Sequence, residues 1–179
     1  SLTSPYSVSS VNKSKVAFFN NSFFRIFQRN NNNKLISFAI NNGSQINAAE
    51  FTNDGEYLLT GSVEGILSLW SLKDKTKRIF DVGDSSPISR IAIDSNKSKI
   101  AFGNGVGSIY LIPFDFNSNS KITEIKEEGI CTKIVFSTNG DKLGAIFSET
   151  DGNKARVWHT LSGYPITGFL SNGSKMSDL

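Results

Sequence analysis

The side chains that could do covalent or metal chemistry are few in this chain. It has one histidine, His159, and one cysteine, Cys131. A zinc site needs three or four Cys, His or carboxylate ligands, and one of each cannot supply the usual sets. A Ser-His-Asp triad would have to use His159 as its base. No nucleophile-elbow sequence is present to bring a serine to it. Cys131 lies where a strand places an apolar residue, so it is expected to be a small buried hydrophobe. Asp94, Asp115, Glu127 and Glu128 show no spacing that would pair them for acid–base work. Gly103-Asn104-Gly105-Val106-Gly107 is glycine-rich and follows a strand pattern. It lacks the Lys-Ser/Thr of a phosphate loop and is followed by a second strand pattern, so it reads as a hairpin turn. No catalytic, cofactor-binding or metal-binding residue is assigned, and no cofactor is expected.

Charge offers one further candidate. The net charge is +3 and the basic residues are scattered, except for Lys73, Lys75, Lys77 and Arg78, a cluster interrupted by Asp74. A solvated turn accounts for it; a phosphate-bearing or acidic partner is the functional alternative.

The elements that must carry these residues follow from an internal repeat. Asn12-Lys13-Ser14-Lys15-Val16-Ala17-Phe18 recurs as Asn96-Lys97-Ser98-Lys99-Ile100-Ala101-Phe102, and related strands fall midway between them and beyond them. A period of about 42 residues with several short strands per unit marks a β-propeller. The second repeat runs through Ile46–Phe51, Tyr57–Gly61 and Gly65–Trp70. The third runs through Ile88–Ile93, Ile100–Gly103 and Gly107–Ile112. The fourth runs through Cys131–Phe136, Leu143–Phe147 and Ala155–Trp158. Each is a short apolar run rich in β-branched and aromatic residues, bounded by Asn, Asp, Gly or Ser. Val16–Phe19 and Phe23–Phe27 serve as strands of a less regular first repeat. Outer strands are expected at Leu35–Ile40, Ile79–Val82, Lys121–Ile125 and Tyr164–Phe169.

These units resemble WD40 repeats. The resemblance rests on Phe51-Thr52-Asn53-Asp54-Gly55, Gly61-Ser62, Glu64-Gly65 and Leu69-Trp70-Ser71. Phe136-Ser137-Thr138-Asn139-Gly140 and Val157-Trp158-His159 carry it in the fourth repeat. It implies an all-β chain: a β-propeller of about four blades of four antiparallel strands, forming an incomplete ring. Blade 1 covers residues 1–42, blade 2 43–84, blade 3 85–127 and blade 4 128–172, and residues 173–179 begin a fifth repeat. The departures are specific. Ser71 and His159 stand where the family carries Asp after Trp. Ile112 and Phe27 replace Trp, and no His precedes Ile46, Ile88 or Cys131. Of the family's buried hydrogen-bonded set, Thr60, Glu64 and Trp70 are the available members. The paired arginines of phosphoinositide-binding propellers are absent, since Phe24-Arg25-Ile26 offers one.

The resemblance implies a non-enzymatic scaffold for protein–protein interaction, acting as the sensor or assembly arm of a larger signalling protein. The alternative is an RNA- or nucleoprotein-associated propeller that uses Lys73–Arg78. The first-strand positions that line the family's top face and channel are Asn47, Ser89 and Thr132 here, with Arg90 and Lys133 beside them; these five are the candidate partner-binding residues. The expected partners are proteins, the remaining blades of the same propeller, or a second copy closing the ring. No apolar run approaches the length of a membrane span, and a single cysteine excludes an internal disulfide. An intracellular chain, cytoplasmic or nuclear, is expected.

Overall fold

The computed structural model describes residues 6–10, 14–29, 32–114 and 121–171. The start of a fifth repeat, Asp115, and much of the Asn12 to Phe18 run's first half lie outside those residues. Among them the chain is all strand and turn: four antiparallel sheets follow one another along the sequence. No helix among the described residues is long and apolar enough to cross a membrane.

The first sheet orders β1 (Tyr6–Ser9), β2 (Lys15–Asn20), β3 (Phe23–Arg29) and β4 (Leu35–Asn41). The second orders β5 (Ile46–Phe51), β6 (Tyr57–Ser62), β7 (Leu67–Ser71) and β8 (Thr76–Phe80). The third contains β9 (Ile88–Ile93), β10 (Lys99–Asn104), β11 (Ser108–Pro113) and β12 (Thr123–Lys126). The fourth contains β13 (Ile130–Phe136), β14 (Lys142–Glu149) and β15 (Gly152–His159). Every neighbour pair is a sequential hairpin, so each repeat folds as its own meander, as the period required.

By packing, the chain divides into two compact units, residues 1–88 and 89–179. Each has its own core. In the first, Ala17, Phe19, Phe24 and Ile26 pack with Ile46, Phe51, Leu58 and Trp70. The Phe24 ring meets the Trp70 indole edge-on at 5.4 Å. In the second, Ala101, Ile109 and Leu111 pack with Cys131, Leu143, Ala145, Phe147 and Trp158, and Phe147 meets Trp158 edge-on at 6.2 Å. The first contact joins two sheets and the second lies within one; in both, strand alternation sends every second residue to the packed face.

The turn between the first and second strands is also repeated. Ser10, Thr52, Asp94 and Ser137 each accept a backbone N–H from the residue five positions on, at 3.1, 3.0, 2.7 and 3.0 Å. Each also gives its own N–H to that residue's carbonyl. Ser, Thr and Asp bracket their own turns in this way because a short oxygen-bearing side chain reaches local backbone donors. The turn's fourth residue has positive φ in the last three repeats: Gly55, Lys97 and Gly140.

The outer strands differ from expectation. The second sheet's outer strand is Thr76–Phe80 rather than Ile79–Val82, and the third sheet's is Thr123–Lys126 rather than Lys121–Ile125. Tyr164–Phe169 forms no continuous strand. Only Trp158↔Pro165 and Ala155↔Leu170 bridge there, so the fourth sheet has three strands. Pro165 has no N–H to offer a ladder, and Gly163 turns the chain at positive φ. Isolated backbone bonds, such as Ile166 N–H to the Val157 carbonyl at 2.7 Å, still tie the segment to β15, and side chains add to them. Arg156 Nε donates to the Thr167 carbonyl at 3.1 Å, and its guanidinium lies 4.4 Å from the Phe169 ring centre.

Candidate functional site

The first strands position the five predicted contact residues. Asn47 and Thr132 are both β-bulge residues: β5 slips register between Ile46 and Ala48, and β13 slips between Cys131 and Lys133. A bulge leaves one residue out of the ladder and re-aims its side chain. Asn47 Nδ2 uses that freedom to donate to the Ile88 carbonyl at 2.8 Å. Thr132 Oγ1 donates to the Ile146 carbonyl at 3.2 Å. Ser89 donates to the Cys131 carbonyl at 2.7 Å. These three polar side chains, all half-buried, spend their donors on neighbouring backbone.

Arg90 is different. It is exposed, and its guanidinium is anchored from behind: Nε donates to the Thr132 carbonyl at 2.5 Å and Nη1 to the Ser89 carbonyl at 2.6 Å. Arginine carries five N–H donors, so three remain beyond these two bonds on an exposed side chain. Lys133 stands half-buried beside it in sequence register. The structure therefore gathers Ser89, Arg90, Thr132 and Lys133 in the second unit through the Arg90–Thr132 bond. Asn47 belongs to the first unit.

The sulfur and imidazole are placed as structural groups. Cys131 is fully buried beneath Gly103, where a Cβ would come within 2.6 Å of its Sγ. Burial pushes its thiol up to about 12, only partly offset by the charge of Arg90 and a backbone hydrogen bond at Lys133. A thiol so held is not a nucleophile at neutral pH. Gly103 is thus a strand residue and not part of the turn, which begins at Gly105. Its place in β10 is set by the close approach of Cys131. His159 is exposed at the end of β15, its backbone N–H bonded to the Tyr164 carbonyl at 2.9 Å.

The basic cluster is split by β8. Lys73 and Lys75 lie in the turn, whereas Lys77 and Arg78 are strand residues. Lys77 pairs across the ladder with Trp70, and its ammonium stands 5.1 Å from that ring's centre. Lys75 lies 5.5 Å over Phe38, and Arg78 5.1 Å over Phe80. Three of the four cations therefore rest on aromatic faces of the first unit, an arrangement that holds their charge against the protein.

Two features were not assigned from sequence. Asn42 completes the buried set around Trp70. The indole Nε1 donates to Thr60 Oγ1 at 3.1 Å, Thr60 donates to Asn42 Oδ1 at 2.8 Å, and Asn42 Nδ2 donates to the Ser44 carbonyl at 3.1 Å. Glu64 lies outside this relay; its backbone N–H bonds to Ser62 Oγ. The signal was a polar residue just before the first strand, where the family resemblance had directed attention to histidine. The second feature is an apolar cleft of about 550 Å³ on the first sheet, lined by Phe18, Phe23, Phe27, Arg25 and Ala39. Phe18 and Phe23 are about half exposed, at 48% and 53%. The residues one repeat on from Phe18 and its ladder partner Arg25 are Thr60 and Ser68, buried at 0% and 2%.

No family model matches the chain. Two curated relatives are the WD repeat-containing protein 55 homologs of Drosophila persimilis and Drosophila pseudoobscura pseudoobscura. Each is 27% identical over 125 residues, covering 69% of this chain and 24% of the relative. The match thus spans about a quarter of the relatives' length. Among solved structures, a chain of the mitotic checkpoint complex superposes with a TM-score of 0.73 at 15% identity. It covers 92% of this chain and 48% of the other. A chain of Kuenenia stuttgartiensis hydrazine synthase superposes with a TM-score of 0.70 at 18% identity, covering 89% and 46%. At those identities the structures share the fold alone. Taken with the repeated meanders, the superpositions show the fold of a β-propeller, and the curated relatives that the chain resembles are WD repeat-containing proteins.

Proposed function

We propose that the chain is a non-enzymatic scaffold segment that mediates protein–protein interaction, as the sensor or assembly arm of a larger signalling protein. The observation that carries this reading is Arg90: an exposed cation held rigidly by two backbone carbonyls on a first strand, in the sequence register that gives Lys133 in the next repeat. The geometry suits an acidic side chain or peptide carboxylate, which an anchored guanidinium binds with little further loss of side-chain entropy. Asn47, Ser89 and Thr132 act in this reading by shaping the backbone around it. The relatives' names and the propeller fold support a scaffold.

In the same reading, the cleft around Phe18 and Phe23 is where a further blade of the propeller packs, because the equivalent face of the second sheet is buried. The unpaired, buried Cys131 supports a reducing, intracellular setting.

The test is site-specific photo-crosslinking in cells from position 90 and, separately, from position 73. Partner proteins recovered from position 90 are then titrated against Arg90→Glu and Lys133→Glu variants. A loss of tenfold or more in affinity is expected, with little change for Lys73→Ala. Binding that maps to Lys73–Arg78 and falls steeply with salt would replace this reading with the nucleic-acid one.

A further inference from the structure

We infer that the free edge of β4 is a self-association edge, on which a second copy of this chain adds its own β4 antiparallel about Phe38. Among the described residues nothing pairs with β4 beyond β3. Exposed strand edges are ordinarily guarded by charge or proline, because their open N–H and C=O groups template further strands. The other outer strands follow that rule: β8 carries Lys77 and Arg78, and β12 carries Glu124 and Lys126. β4 is longer, with seven residues, and reads Leu-Ile-Ser-Phe-Ala-Ile-Asn without an ionisable residue, glycine or proline.

The backbone phase selects the occupant. Asn42 N–H bonds to the Ser22 carbonyl at 2.7 Å, and Phe23↔Asn41 and Ile26↔Phe38 are opposed in the β3–β4 ladder. Hydrogen-bonded pairs alternate along an antiparallel ladder. Ile36, Phe38 and Ile40 therefore direct their backbone groups to β3, and Leu35, Ser37, Ala39 and Asn41 direct theirs to the free edge. A two-fold axis at Phe38 sets Ser37 against Ala39 of the second copy and Leu35 against its Asn41, all of them edge-directed residues. Both hydrogen bonds of each pair can then form. The same axis sets Phe38 against Phe38 and Ile36 against Ile40, in the non-hydrogen-bonded positions where side chains approach most closely. The near-palindrome Ile36-Ser37-Phe38-Ala39-Ile40 satisfies backbone phase and side-chain pairing in one register. Lys34 then faces the neutral Asn42, so no like charges are opposed.

The size of the contact sets its strength. Seven residues span about 24 Å of edge. That is a small contact beside the roughly 800 Å² per partner of a standard stable interface. The dimer is accordingly reversible and concentration-dependent. This inference does not rest on the reading of Arg90.

The test is sedimentation equilibrium of the chain between about 5 and 500 μM, a range chosen for a weak interface. The expected result is a monomer–dimer equilibrium that Ser37→Pro abolishes. That N–H faces the free edge, so the proline removes no bond to β3. Two charge variants then read the register. Ser37→Lys with Ala39→Lys opposes like charges in the dimer and is expected to weaken it at least tenfold. Ser37→Lys with Ala39→Glu opposes unlike charges and is expected to preserve it. Circular dichroism establishes that each variant is folded; should Ser37→Pro fail to fold, the charge pair decides alone. A monomer throughout the range overturns the inference. So does association indifferent to the charge pair.

Discussion

Thr60 donates its hydroxyl proton to Asn42 Oδ1 at 2.8 Å while accepting the Trp70 indole N–H at 3.1 Å. One oxygen thereby satisfies two buried polar groups in a unit whose blades otherwise pack through apolar side chains. Thr60→Val keeps the shape and removes that oxygen. The indole N–H and the Asn42 oxygen are then left buried without partners, at an expected cost of about 1–3 kcal/mol. Urea unfolding should show a lower midpoint with an unchanged slope. The double variant Thr60→Val with Trp70→Phe should lose less than the sum of its singles, because one orphaned donor is gone. Additive losses would mean that the relay carries no coupling energy.

Cys131 gives a chemical reading of the second unit's stability. Its sulfur is fully buried and its thiol is held near 12. Native protein is expected to resist thiol reagents at neutral pH and to react only on opening. The modification rate should rise with urea in parallel with unfolding of that unit. Gly103→Ala drives a methyl against the sulfur and should cost about 1–3 kcal/mol by overpacking. The same variant should accelerate modification. Rapid labelling of the folded wild-type chain would contradict the burial.

Most of the fold was legible because hydrophobic alternation and turn chemistry recur with one period. Lys15–Asn20 and Lys99–Asn104 share both sequence and strand assignment. The outer strands were less legible. They are half-exposed, so polar Thr76 and Lys77 join β8 although they read as turn, while apolar Tyr164 and Ile166 stay outside a sheet because Pro165 and Gly163 intervene. For the candidate site, the period placed Asn47, Ser89, Arg90, Thr132 and Lys133 on first strands, and the structure has them there. The period could not find that Asn47, Ser89 and Thr132 turn back on neighbouring backbone; at Asn47 and Thr132 the cause is a bulge, which is a property of two paired strands and leaves no mark on one. Asn42 was missed for a related reason. An amide can accept the Thr60 proton as an imidazole can, but its type announces a loop.

Lys97 carries φ +54° at the turn position held elsewhere by Gly55 and Gly140. A side chain in the left-handed region costs roughly 1–2 kcal/mol. Glycine relieves that strain and gives back about 0.4–1 kcal/mol through its freer unfolded chain. Lys97→Gly is therefore expected to stabilise by up to about 1.5 kcal/mol. Gly140→Ala, which adds strain and pushes a methyl to 2.8 Å from Asp94 Oδ2, should destabilise by more than that amount. Thermal unfolding of the two variants under one condition decides the matter: both must move, and in opposite directions.

Glu50 supplies the pH test. It sits half-buried on β5 opposite Leu59, at the position where the next repeat has Ala92. Burial pushes its carboxyl from an ordinary 4.5 up to about 7, with no offsetting charge. A carboxyl raised on folding binds its proton more tightly in the folded chain. Folding is then favoured where the group is protonated and is penalised as pH rises from about 4.5 through about 7; above that the penalty is constant. Glu50→Gln cannot ionise. The stability of the variant minus that of the wild type should be flat below pH 4.5, grow through the interval to about 7, and level off. The plateau change should be on the order of 1–3 kcal/mol, below the full value of the shift because the side chain retains some solvent. Urea midpoints taken at half-unit pH steps give the curve directly. A difference that does not vary with pH would show that Glu50 is ionised in the folded chain as readily as in the unfolded one.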